Sequence, residues 1–200
     1  MYTALHATSK SLAKYLEGRL QADANLQTFF SGGNMMVSLN TPQEMMDKNI
    51  EGVSVWLYRV MRDPERVNDP PERVGWDQLR HPPLPLCLHY LIAPITDRKQ
   101  GASPETEQLI LGKVLQAFHS HPLLRGTDLQ ADFIGTGVEL HVRLEPMGLE
   151  EITRVWEALE GSYQLSVSYE VSVVNIEAET QPEKVSPVVV ALPEYGVIVS

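Results

Sequence analysis

The apolar positions of this chain change period several times, and each change marks an element. Over residues 3–22, Leu5, Leu12, Tyr15, Leu16 and Leu20 recur at helical spacing with Lys10, Lys14, Glu17 and Arg19 between them. That pattern predicts an amphipathic opening helix. Gly32-Gly33 interrupts the chain before a short strand at 35–39. Thr41-Pro42-Gln43-Glu44 then supplies an N-cap, a proline at the first helical position and a carboxylate three residues after the cap, so a short helix carrying Met45 and Met46 follows. Residues 52–61 alternate as a strand, with Val53, Val55, Leu57 and then Arg59 on one face and Ser54, Trp56, Tyr58 and Val60 on the other. Residues 84–92 are apolar on both faces, which predicts a central strand, and Pro85 falls near its start where a missing N–H is tolerated.

The second half repeats these signals. Ser103-Pro104-Glu105 opens a long helix, with serine as cap, proline in the first turn, and Glu105 and Glu107 against the positive end of the helix dipole. Leu109, Ile110, Leu111, Val114, Leu115 and Phe118 give it a wide apolar face, and Pro122 marks its limit. Residues 123–136 read as loop with one extended piece, and 138–144 alternate as a half-buried strand. A helix over 149–159 follows, with Ile152, Val155, Trp156 and Leu159 on one face and Gly161 at its end. The last regular strand runs over 163–177, with a bulge expected near Val173-Val174. Elements of both kinds in a 200-residue chain predict one α/β domain over residues 1–180.

Two stretches escape this periodicity. Residues 62–83 hold Pro64, Pro70, Pro71, Pro82 and Pro83 together with Arg62, Arg66, Arg73 and Arg80, and should not form a packed element. Structureless connections longer than about 12–15 residues are usually functional, so this segment reads as a contact arm, with Trp76 as its candidate anchor. Residues 181–200 form an apolar, β-prone tail in which Val188, Val190, Leu192, Tyr195 and Val197 are the candidate contact residues. Such a tail either adds a strand to a neighbouring molecule or packs back on its own sheet.

Composition narrows the function. Apolar residues make up 43% and charged residues 21%, as in ordinary globular proteins. Cys87 is the single cysteine, set in an apolar run, which excludes an intrachain disulfide and fits an inert buried thiol in a reducing compartment. With no signal-like N-terminus and no apolar run near the roughly 20 residues of a membrane span, synthesis in the cytoplasm is expected. The net charge of −10 sits entirely in residues 101–200, which hold 5 Lys/Arg against 15 Asp/Glu, while residues 1–100 balance 11 against 11. An acidic half argues against nucleic-acid binding, and the arginines of the arm and the acidic half form a candidate complementary pair.

Candidate chemistry is sparse. His119 and His121 lie two apart at a helix end and point to different faces, while His89 and His141 belong to different strands. Gly135-Thr136-Gly137 precedes a strand rather than a helix and fits a turn, not a dinucleotide fingerprint. The pairs Glu150-Glu151 and Glu105/Glu107 fall in first helical turns, where the dipole accounts for them. Trp56 and Trp156 read as core. No catalytic residue, metal ligand or cofactor site is expected.

Four stretches together carry a resemblance. They are residues 52–60, Gly-Val-Ser-Val-Trp-Leu-Tyr-Arg-Val; residues 82–92, Pro-Pro-Leu-Pro-Leu-Cys-Leu-His-Tyr-Leu-Ile; residues 107–124, from Glu107 through Leu111-Gly112-Lys113 to Phe118-His119-Ser120-His121-Pro122-Leu123-Leu124; and Trp156-Glu157-Ala158-Leu159 with residues 163–171. In order and spacing the chain resembles the tail-terminator (cap) proteins of extracellular contractile injection systems, of the antifeeding prophage and Photorhabdus virulence cassette type. The resemblance implies a tail-terminator-like domain with a mixed, mainly antiparallel sheet flanked by helices. It also implies a homohexameric ring that ends tube and sheath polymerisation, with sheath and inner-tube proteins as partners and neither nucleic acid nor membrane. An assembly chaperone or adaptor for a tail component is the alternative.

Overall fold

The computed structural model describes residues 1–32, 35–66, 68–96 and 104–186. The opening helix α1 spans Ala4–Gln21 and is followed by a single turn, α2, at Gln27–Phe30. Strand β1, Met35–Ser38, leads into α3, Pro42–Asp47, whose capping box is complete: Glu44 N–H donates to Thr41 Oγ1 at 3.1 Å, and Thr41 N–H donates to Glu44 Oε2 at 3.0 Å. Then come β2 (Glu51–Arg62), β3 (Glu72–Arg73), β4 (Gln78–Arg80), β5 (Leu84–Ile95) and helix α4 (Pro104–Ser120). Strands β6 (Leu123–Arg125) and β7 (Glu139–Glu145), helix α5 (Leu149–Ala158), and strands β8 (Val167–Ile176) and β9 (Glu183–Lys184) complete the described chain.

Six strands form the main sheet in the order β1-β2-β5-β8-β7-β6, and only β1 and β2 run parallel. This is the mixed, mainly antiparallel sheet the resemblance implies, and β5 is central as its two apolar faces require. One face of β5, from Leu88, Tyr90 and Ile92, packs with Leu12, Leu16 and Leu20 of α1 and Ile110, Val114 and Phe118 of α4. The other face, from Leu91, Ala93 and Ile95, packs with Met45 of α3 and Ile152 and Trp156 of α5. The sheet therefore carries helices on both faces, but α3 and α5 reach only one end of theirs.

Local irregularities bend this sheet. At Gly52 the backbone takes φ +134°, and an added Cβ would stand 1.9 Å from the carbonyl oxygen of Met36 in the paired strand β1, so only glycine fits. In β2 the pairing shifts between Leu57 and Arg59, leaving Tyr58 as the extra residue. The faces exchange there: Arg59 stands opposite His89, on the side away from Leu57, and Val60 stands opposite Leu88. Simple alternation had placed Arg59 with Leu57 and Val60 with Trp56; the bulge reverses both. In β8 the shift lies between Val171 and Val174, opposite Cys87, where a bulge was expected.

Helix α5 ends with Glu160, not Gly161, in the left-handed region, at φ +55°. The expected cap Ser103 and the residue Gly33 lie outside the described residues, as do all five tail positions Val188, Val190, Leu192, Tyr195 and Val197. No helix is long and apolar enough to cross a membrane among the described residues.

Candidate interaction surfaces

The segment expected to stay unpacked builds a small sheet of its own. Strands β3 and β4 form a hairpin, with Glu72 opposite Arg80 and Arg73 opposite Leu79. Val74 N–H donates to Gln78 O at 3.2 Å, and the Arg73 guanidinium donates to Trp76 O at 3.2 Å, bracing the turn from inside. Trp76, at the tip, is 72% exposed, and Val74 beside it is also open to solvent. An indole this exposed forfeits the burial that would stabilise it in a monomer, a loss of about 1.5–3 kcal/mol for a large apolar side chain.

The start of the tail completes this sheet. Strand β9 runs antiparallel to β4, with Glu183 opposite Leu79 and Lys184 opposite Gln78. Val185 N–H then donates to Asp77 O at 2.8 Å. The chain thus leaves β9 toward the hairpin tip, beside Trp76, and away from the main sheet. The arm and the start of the tail, two separate features in the sequence, are one structural unit.

The arginines of the arm are distributed rather than gathered. Arg80 pairs with Glu72 at 3.8 Å, Arg73 holds the turn, and Arg62 ends β2. Arg66 borders two adjoining shallow clefts at the root of the arm, one reaching Glu139 and Asn175, the other reaching Asp63, Cys87 and Glu170. The same stretch contains Asp63, Glu65, Asp69, Glu72 and Asp77, so its surface is of mixed sign. What the arm presents to a partner is an exposed tryptophan and two short strand edges more than a positive field.

Where the cover of α3 and α5 ends, a polar row crosses four strands in register, from exposed Arg59 through buried His89 and half-buried Glu170 to exposed Arg143. Arg143 pairs with Glu170. Beneath α5 a second group converges on one oxygen. Glu145 Oε2 accepts from Ser168 Oγ at 2.6 Å and lies 3.1 Å from His89 Nδ1. Tyr58 Oη is 2.9 Å from Ser168 Oγ. Tyr58 Oη also lies 3.2 Å from Glu145 Oε2, so its one proton is shared between Glu145 and Ser168, and His89 carries its proton on Nδ1.

Burial disfavours the Glu145 charge, but the bonds from Ser168, His89 and Tyr58 outweigh it and hold the carboxyl below its ordinary value. These four side chains tie β2, β5, β7 and β8 together. Sequence reasoning missed them, since their only signal is cross-strand register. It also assigned Glu107 to the helix dipole alone, whereas the residue is buried and accepts from Thr96 Oγ1 at 2.7 Å.

Cys87 is buried where it was expected to be, and burial, with Glu170 and Asp63 nearby, pushes its thiol up to about 11. It is therefore protonated and unreactive at neutral pH. His121 bonds Asp128 at 2.9 Å and stacks on Tyr15. Among the described residues no group of three His, Cys, Asp or Glu is placed to hold a metal ion.

Comparisons with known proteins agree with this architecture. Residues 7–190 match the family described as Pvc16 N-terminal domain. A cryo-EM structure of the sheath/tube terminator of an extracellular contractile injection system, PVC, in its extended state superposes with TM-score 0.54 at 18% identity, covering 96% of this chain and 65% of that one. The tube-terminating cap of the anti-feeding prophage, also from cryo-EM, superposes with TM-score 0.58 at 19% identity, covering 98% of this chain and 61% of that one. At such identities the likeness is one of fold. This chain spans less than two thirds of the length of either solved chain. No curated protein matches it.

Proposed function

This chain belongs to the Pvc16 N-terminal domain family, and from that premise we propose that it is a structural cap of a contractile injection system. In this reading it is a non-enzymatic subunit that closes into a homohexameric ring. The ring ends polymerisation of inner tube and sheath at the distal end of the particle. The chain is made in the cytoplasm and leaves the cell as part of the particle, contacting sheath and tube proteins rather than nucleic acid or membrane.

The observation that carries this reading is the family match over 7–190 on a fold shared along nearly the whole chain with two solved terminators. The surfaces suit the role. Arg143 pairs with Glu170, and Arg59 is exposed in the same row. The arm offers Trp76 at its tip, Arg73 and Arg80 in its hairpin and Arg62 and Arg66 at its root as contact residues. The tail, with Val188, Val190, Leu192, Tyr195 and Val197, adds a strand to the neighbouring subunit or to sheath, a reading supported by β9, which runs toward the arm tip.

Counting copies of this protein in purified particles by quantitative mass spectrometry tests the role. The cap reading expects one ring, about six copies for six-fold closure, at each distal end. A protein needed for assembly yet missing from finished particles would instead be a chaperone or adaptor.

A further inference from the structure

We propose that successive copies in the ring meet head to tail, the cationic outer face of α1 on one copy against the anionic outer face of α5 on the next. This rests on the ring reading above and names the surfaces that would build it. The two helices lie on opposite faces of the main sheet, α1 with α4 on one and α5 with α3 on the other.

The face of α1 is positive. His6, Lys10 and Lys14 follow at four-residue steps and form one exposed stripe, with Arg19 further along the helix. The sole acid of α1, Glu17, is held by Lys14 at 2.9 Å, and Lys10 has no ion pair among the described residues. The stripe borders a shallow groove floored by Ala13, Val37 and Ala131, where a side chain from another molecule could lie.

The face of α5 is negative. Glu150, Glu151 and Glu157 are exposed, as is Glu160 just past the helix end. Arg154 is matched to Glu150, while Glu157 and Glu160 have no ion pair among the described residues. Exposed Glu44 and Asp47 of α3 extend the same sign on that side.

The outer faces of α1 and α5, rather than whole sides of the sheet, carry charge of opposite sign, since α4 beside α1 exposes Glu105 and exposed Lys48 follows α3. That arrangement decides the symmetry. A two-fold contact would set α1 against α1 or α5 against α5, placing like charges together. A head-to-tail contact brings unlike faces together at every joint, and repeated it closes into a ring when the rotation between copies divides the full turn. Such pairs steer encounter and fix register more than they add affinity, so the contact should weaken with salt.

The test uses the full chain added to sheath–tube particles, with capped ends counted by electron microscopy and stoichiometry read by native mass spectrometry. Lys10→Glu/Lys14→Glu and Glu157→Lys/Glu160→Lys are each expected to cap at least ~10-fold fewer ends at low salt. An equimolar mixture of the two restores capping, because alternating copies satisfy every joint of an even-numbered ring. The fourfold swap restores it within one chain.

Capping unchanged in both double variants would overturn the face assignment while leaving the cap reading standing. Loss in both with no rescue by mixture or fourfold swap, at unchanged melting temperature, would overturn it as well. A wild-type chain that caps no ends removes the ring reading and this inference together. Should a reversal lower the melting temperature, Lys10→Gln/Lys14→Gln and Glu157→Gln/Glu160→Gln replace it, and each should lower capping about three-fold.

Discussion

The body and the arm of this protein are held by different forces. In the body, Trp156 and Tyr90 are almost wholly withdrawn from water, and two helical layers bury both faces of a central strand. In the arm, strands of two and three residues are joined by backbone hydrogen bonds, and Trp76 points into solvent. The body accounts for its own stability. The arm has almost no core, so it falls to its backbone ladders and polar contacts such as the Arg80–Glu72 pair to offset the chain entropy of its shape. The same residue type, tryptophan, marks both regimes.

The largest expected effect breaks the body. Trp156→Ala should lower unfolding free energy by about 4 kcal/mol, read as a fall in urea midpoint at constant slope. Trp76→Ala should change stability by less than ~0.5 kcal/mol yet abolish capping. Equal stability losses in the two variants would erase the distinction between body and arm.

Gly52→Ala comes next. Its methyl group would press on the Met36 backbone, and about 3 kcal/mol of destabilisation is expected from clash and strain together. Hydrogen exchange of the amides of β1 should then rise first, since the edge strand can detach before the rest of the sheet opens.

The Glu145 cluster gives a smaller, pH-dependent effect. The folded carboxyl sits below its ordinary value of 4.5, so its contribution is fully present above that pH and is lost as pH falls through the folded value. Glu145→Gln should cost about 1–2 kcal/mol at neutral pH and flatten the decline of stability below pH ~4.5. An acid limb identical in wild type and variant would show that the cluster does not carry this linkage.

The smallest global effect belongs to the tail. Removing residues 183–200 deletes β9 and should speed exchange at the β4 amides while leaving the melting temperature of the body nearly unchanged. A body that melts much earlier without the tail would mean that the tail packs back on its own sheet.

How much of this was visible in the sequence follows the same division. The body was legible because its signals are local: the Thr41–Glu44 capping box, the helical spacing of Leu12, Leu16 and Leu20, and the two-sided apolar run from Leu84. The polar cluster was not, because Glu145, His89, Tyr58 and Ser168 lie on four strands and meet only through register. One extra residue at Tyr58 was enough to put Arg59 and Val60 on the reverse faces.

The arm was half legible. Its prolines and arginines marked it and Trp76 stood out, but its strands are too short to show periodicity. Their third partner, Glu183–Lys184, lies roughly a hundred residues away. The arginines also drew more notice than the acids interleaved with them.

The central claim is that this chain ends the growth of a tube and sheath. It is tested most directly by imaging particle distal ends and measuring particle lengths in cells with and without the protein. The account predicts a ring of density at the distal end that disappears with the protein, leaving open ends and a broadened length distribution. Unchanged lengths with the distal density still in place would contradict it.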